Sequence, residues 1–128
     1  MIRINVVAEG QTEMKFAKTL LNQFFEGKIT VNARCVLNSR NNKINYEYRG
    51  GMTTYARAKK DIMSWMKEDC SAYVTTMFDF YRLPHDFPGY NEAMRRSTHL
   101  EGVKFLELKM KEDIEANLAK SMSYRFIP

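Results

Sequence analysis

Two apolar runs without alternation stand out along the chain: Ile4-Asn5-Val6-Val7-Ala8, which stops at Glu9-Gly10, and Ala72-Tyr73-Val74-Thr75-Thr76-Met77-Phe78, which stops at Asp79. Near-continuous apolar character predicts strands of a parallel sheet buried on both faces. The first covers about residues 2 to 8. Thr12 then serves as an N-cap, and Met14, Ala17, Leu20, Leu21 and Phe24 recur at helical spacing with Lys15, Lys18 and Asn22 opposite, until Gly27 ends the helix. Ile29, Val31, Ala33, Cys35 and Leu37 share one face of a second strand.

The polar run Asn38-Ser39-Arg40-Asn41-Asn42-Lys43 reads as a turn, and the alternation of Ile44, Tyr46 and Tyr48 predicts an antiparallel return strand. After Gly50-Gly51, Thr53 or Thr54 caps a helix whose buried stripe is Tyr55, Ala58, Ile62, Trp65 and Met66. The segment Leu83 to Tyr90 carries two prolines and a glycine, which exclude regular structure. A long helix follows on Val103, Leu106, Met110, Ile114 and Leu118, its start delayed by Gly102, and Tyr124 to Pro128 opens another strand. The order β-α-β-(β)-α-β-α-β predicts an α/β fold: a mainly parallel sheet of about four strands with helices on both faces, plus an antiparallel strand extension.

With 128 residues, 45% of them hydrophobic and 27% charged, the chain reads as one globular domain. No window holds the roughly 18 consecutive apolar residues of a membrane span. Met1-Ile2-Arg3-Ile4 leads straight into the first strand, so no signal peptide is expected and the location expected is cytoplasmic. Cys35 and Cys70 are the only cysteines and form no zinc-type spacing; both are expected as reduced structural thiols. The net charge of +5 is unevenly spread. Residues 28–60 hold Lys28, Arg34, Arg40, Lys43, Arg49, Arg57, Lys59 and Lys60 against one acid, Glu47. Such a stretch suits a polyanion such as nucleic acid, and equally a solvated face that keeps the protein soluble.

In an open α/β sheet, ligands bind outside the carboxyl ends of the strands, so the candidate chemistry lies at Glu9 and Asp79. Glu9 could hold a metal or act as general acid/base, or it could only accept hydrogen bonds at a helix start. A charge at the end of a buried strand is costly unless a cation or donors meet it, which favours Asp79 as a ligand for Mg²⁺ or Mn²⁺. Its structural alternative is to cap the next loop. Glu13 and Asp86 are further candidates, each with a plain role open to it, as a first-turn acid and a turn cap respectively. His85 and His99 match no ligand spacing. Gly50-Gly51 could cradle a phosphate or simply turn the chain, and Tyr46, Tyr48 and Tyr55 could stack on bases or fill a core.

Four blocks occur in order: Val7-Ala8-Glu9-Gly10-Gln11-Thr12-Glu13; Gly50-Gly51 with Tyr55; Thr75-Thr76-Met77-Phe78-Asp79-Phe80-Tyr81 with Leu83-Pro84; and Asp86-Phe87-Pro88-Gly89. Together they resemble an uncharacterised bacterial and archaeal domain-of-unknown-function family of the Toprim-like superfamily, over essentially the whole chain. The resemblance implies a Rossmann-like sheet, Mg²⁺ binding and phosphodiester cleavage of nuclease type. It puts the superfamily's strand-one glutamate, general acid/base and metal partner, on Glu9, and the first acid of the Asp-x-Asp motif on Asp79. The second acid falls on Tyr81, a poor Mg²⁺ ligand. Similar members continue past Pro128 into a His-Glu-Phe-Glu stretch, so a shortened chain is expected.

The function this implies is a metal-dependent nuclease-type domain. Glu9 would be catalytic, Glu9 and Asp79 with Glu13 and Asp86 would be the metal candidates, and Arg40, Lys43, Arg49, Arg57, Lys59 and Lys60 would contact nucleic acid. The alternative is a catalytically weak or inactive module that binds nucleic acid or a protein partner, including another copy of itself. A receiver-like signalling domain also places acids at strand ends. It calls for an acid pair after strand one and a later strand-end lysine, which the sequence does not show.

Overall fold

The structure, a computed structural model, describes residues 1–36 and 54–128. Strand β1 (Ile2–Ala8) is followed by helix α1 (Gln11–Phe16), a π-helical turn (Ala17–Leu21) and helix α2 (Asn22–Phe25), then β2 (Ile29–Cys35). Within residues 54–128 come α3 (Tyr55–Glu68), β3 (Tyr73–Met77), a 3₁₀ turn (Phe80–Arg82), α4 (Tyr90–Met94), α5 (His99–Glu115) and α6 (Lys120–Ser123). The sheet is parallel with order β2-β1-β3, Val7 standing beside Arg34 on one side and Thr76 on the other. The α/β class and a parallel sheet with helices on both faces are therefore present, an arrangement compatible with a Rossmann-like fold.

Strand pleating divides the core in two. Val7, Val36 and Val74 face α3 and α5, where Ile62, Met66, Leu106, Met110 and Ile114 meet them. Val6, Val31 and Ala33 face the first helical segment, through Met14, Ala17, Leu21 and Phe25. The predicted stripe through Leu20 and Phe24 is corrected here: both are exposed, Phe24 to 77%. The π turn closes i→i+5, which takes more residues per turn than 3.6 and rotates those two side chains outward. The helix also begins at Gln11 with Gly10 in the capping position, so Thr12 is not its cap.

The α3 stripe of Tyr55, Ala58, Ile62, Trp65 and Met66 is buried as the spacing predicts, and Thr54 is the cap, accepting from the Arg57 N–H at 3.2 Å. Strand β3 departs from prediction: within it only Val74 is fully buried. Among the described residues it stands at the sheet edge, and the first helical segment packs over β1 and β2. The expected fourth strand is a single parallel bridge, Val74 to Phe126, with α6 occupying the residues before it. The antiparallel extension at 44–48, like Leu37 and the Gly50-Gly51 turn, lies outside the described residues.

Gly102 does not delay α5, which starts at His99 with Thr98 capping the Glu101 N–H at 3.2 Å. Its hydrogen side chain is what admits the neighbours: a Cβ there would lie 2.8 Å from the Ala93 carbonyl oxygen and 3.1 Å from Phe80 Cζ. Gly89 (φ 80°) is likewise required, both by its left-handed backbone and by Phe105 and Lys109 against it.

Arg125, 3% exposed, ties the chain's last residues to the α3–β3 corner. Its Nη1 donates to the carbonyls of Asp69 (3.1 Å) and Ala72 (2.7 Å), and Nη2 to that of Met66 (3.3 Å) in the last turn of α3, where a cation suits the helix dipole. Removing a buried donor set strands its acceptors, so Arg125→Met should lower unfolding stability by about 2–4 kcal/mol. Urea unfolding followed by circular dichroism measures this; a midpoint equal to wild type would show that the carbonyls do not depend on the guanidinium.

Candidate functional site

The order β2-β1-β3 makes a crevice at the carboxyl ends of β1 and β3. From β1 the chain leaves toward α1 on one face, whereas from β3 it leaves toward α4 and α5 on the other. Diverging connections between neighbouring parallel strands open the sheet edge at that point. The Glu9 N–H donates to the Met77 carbonyl at 3.0 Å, extending the β1–β3 ladder by one residue and fixing Glu9 in the crevice.

Glu9 is 3% exposed, and its Oε1 is buried with no hydrogen-bond partner. Burial pushes its carboxyl above the usual carboxylate range. The Arg82 guanidinium opposes that rise, the charges of Asp79 and Glu13 add to it, and the Asp79 backbone N–H lowers it again. The structure thus brings Glu9, Asp79 and Glu13 together, with Arg82 as the facing cation. Glu13 reaches back as the sequence suggests, since a Cβ on Gly10 would lie 3.2 Å from its Oε2. Gly10 is extended (φ −146°), so the glycine supplies space here and no unusual turn.

Asp79 lies two residues beyond the end of β3 and caps the 3₁₀ turn, its Oδ1 accepting the Tyr81 N–H at 3.0 Å. The loop-capping alternative is therefore realised, and it holds the carboxylate at the crevice mouth. Tyr81 turns outward, 72% exposed, with its phenol 2.7 Å from His99 Nδ1. Asp86 is engaged elsewhere: both its oxygens accept from the Tyr55 N–H (3.0 and 3.1 Å) at the start of α3. His85 stacks on Tyr90 at 4.6 Å.

Arg40, Lys43 and Arg49 lie outside the described residues. On α3, Arg57 pairs with Asp61 at 3.9 Å and Lys59 with Asp113 at 2.9 Å, while Lys60 is exposed. Asp113 also accepts from the Tyr55 hydroxyl at 2.8 Å, so Lys59 belongs to a contact joining α3 to α5. Arg82 is the cation that sequence reasoning missed. The signal was there in its place three residues after Asp79, one short turn along.

An oxygen-only donor set with an orphaned carboxylate oxygen fits a hard divalent cation, which needs one or two protein carboxylates and keeps its waters. Among the described residues no three His, Cys, Asp or Glu side chains are gathered to hold a metal, so the fit rests on Glu9 and Asp79. No described helix is long and apolar enough to cross a membrane.

Because the folded-state pKa of Glu9 is raised, the folded protein binds its proton more tightly than the unfolded chain does. That contribution is favourable at low pH and is lost as pH rises from the ordinary glutamate value of 4.5 through the folded pKa. Glu9→Gln should therefore stabilise the protein at pH 7, with the gain vanishing toward pH 4. Melting temperatures of both proteins across that range provide the measurement, and a gain that is constant with pH would contradict it.

Neither a curated protein nor a solved structure matches the chain. The sequence pattern of one family, DUF4276, matches residues 8–128, from the last residue of β1 to the final proline. The chain belongs to the DUF4276 family, described as a domain of unknown function.

Proposed function

We propose that this chain is a Toprim-like domain whose β1–β3 crevice supports divalent-metal-dependent cleavage of phosphodiester bonds in nucleic acid. The observation that carries the reading is the buried, unpartnered Oε1 of Glu9 at the switch point of a parallel sheet, with Asp79 and Glu13 beside it. An uncompensated buried carboxylate costs stability, and such a cost is typical of a site that meets its partner only when loaded. Glu9 and Asp79 would hold Mg²⁺ or Mn²⁺, with Glu13 at the rim. The ion would neutralise phosphate charge and make bound water more acidic. Arg82 would draw the phosphate toward the crevice, and Glu9 would give or take the proton at Oε1.

Cleavage of plasmid DNA and of single-stranded DNA and RNA, with Mg²⁺ and with Mn²⁺, tests this. Glu9→Gln and Asp79→Asn should each reduce the rate by about 10²-fold or more. Activity that survives both substitutions would reject the assignment.

A second reading, a domain that binds nucleic acid or a protein without turnover, is favoured by one feature. Among the described residues no three acids are gathered to anchor a metal; Asp86 accepts from the Tyr55 N–H and Tyr81 faces His99. Under that reading the wild type shows no cleavage but binds nucleic acid with an affinity that falls steeply as salt rises. Salt-independent binding would exclude the nucleic-acid form of it.

A further inference from the structure

Among the described residues no strand lies beyond β2, which leaves it at one edge of the sheet. In a parallel ladder alternate residues of a strand direct both backbone groups to the same side. The Val36 N–H donates to the Ala8 carbonyl at 2.9 Å, which turns the even-numbered residues of β2 toward β1 and the odd-numbered ones outward. An outward row of this kind is a template for another strand. Here side chains already hold part of it. The Val31 N–H donates to Asn22 Oδ1 at 2.8 Å, and Asn22 Nδ2 donates back to the Val31 carbonyl at 2.8 Å. The next outward donor, the Ala33 N–H, goes to Asn32 Oδ1 at 3.0 Å.

A carboxamide carries the same donor and acceptor groups as a peptide unit, so one side chain fills the place that a neighbouring strand's backbone would take at Val31. Its partners fix its orientation. Asn22 Nδ2 also donates to the Lys18 carbonyl at 2.7 Å, and a reversed amide would set its NH₂ against the Val31 N–H. Asn22 directly follows the π-helical turn, and its own N–H donates to the Thr19 carbonyl. The Lys18 carbonyl, which a regular α-helix would give to that N–H, takes the side chain instead. The turn that carries Leu20 and Phe24 outward thus leaves Asn22 half-buried against the sheet edge.

We propose that Asn22 closes the β2 edge at Val31 against strand addition by a second copy of this chain. Every copy carries the same edge, so without the guard two copies could pair β2 to β2, antiparallel about a two-fold axis. Ile29, Thr30 and Val31 are β-branched and suit such a ladder. An arriving strand finds the Val31 N–H, the Val31 carbonyl and the Ala33 N–H occupied, and must break those bonds before it makes its own. The guard is independent of any reaction at Glu9.

The full chain, isotope-labelled, tests this by amide hydrogen exchange and sedimentation velocity over a range of concentrations. In the wild type the Val31 amide should be protected. Asn22→Ala should speed its exchange about tenfold or more in dilute solution. The variant should also self-associate at concentrations where the wild type does not, and Val31 protection should return as it does so. A side chain that only anchored the helix to the sheet would move the exchange rate without that return. Asn32→Ala, at an exposed position, releases the Ala33 N–H and decides the question should Asn22→Ala not fold: Ala33 exchange should speed up and self-association should rise. Fast Val31 exchange in the wild type would overturn the proposal. So would an opened edge, in whichever variant folds, with sedimentation equal to wild type at every concentration.

Discussion

The two-sided pairing of β1 is the constraint from which the rest follows. A strand flanked by parallel neighbours has no wet edge, and helices cover both faces of the carboxyl half of β1, so Val6, Val7 and Ala8 are buried together and the ladder carries that burial one residue further, to Glu9. The carboxylate is interior because of where β1 stands. Its free-energy cost is a property of topology first and of chemistry second. With the same sequence at a sheet edge, Glu9 would be an ordinary solvated acid.

Charge at the two ends of the sheet is handled differently. At the amino end, Arg3 makes a two-pronged contact with Asp69 (2.9 and 2.7 Å), Asn5 donates to the same carboxylate, Ser71 also meets Arg3, and the buried Arg125 satisfies three carbonyls. That corner is closed. At the carboxyl end three acids face one arginine, and Glu9 keeps an oxygen without a partner. Structural and functional polarity are thus spatially separated by the length of β1, so satisfied groups at one end do not compensate unsatisfied groups at the other.

Much of this was legible in the sequence. The 2-residue period placed β2 and the 3.6-residue period placed α3 and α5, since those elements bury one continuous face each, while β1 was placed by an apolar run without alternation. The Glu9–Asp79 pairing was legible too, because both acids end apolar runs. Three features were not. The π turn leaves the apolar composition of its helix intact and changes only which members face inward, so Leu20 and Phe24 looked as buried as Leu21. Asp86 reads as a loop acid until the fold brings it to the N-terminus of α3, thirty-one residues away along the chain. Arg125, in a segment that reads as the opening of a strand, acquires its role from carbonyls that exist as a cluster only after α3 and β3 have met.

The glycine inside α5 bears on the crevice in a way its position does not suggest. Gly102 lets α5 approach both Ala93 in α4 and the ring of Phe80, the residue directly after Asp79. Any larger residue would press on both a backbone carbonyl of α4, the nearer of the two, and that ring. The ring is the softer of the two, and it is joined to the turn that presents Asp79. Position 102 therefore works as a spacer gauge: the thickness of one methyl group there sets where a carboxylate stands at the far side of the turn, without touching it.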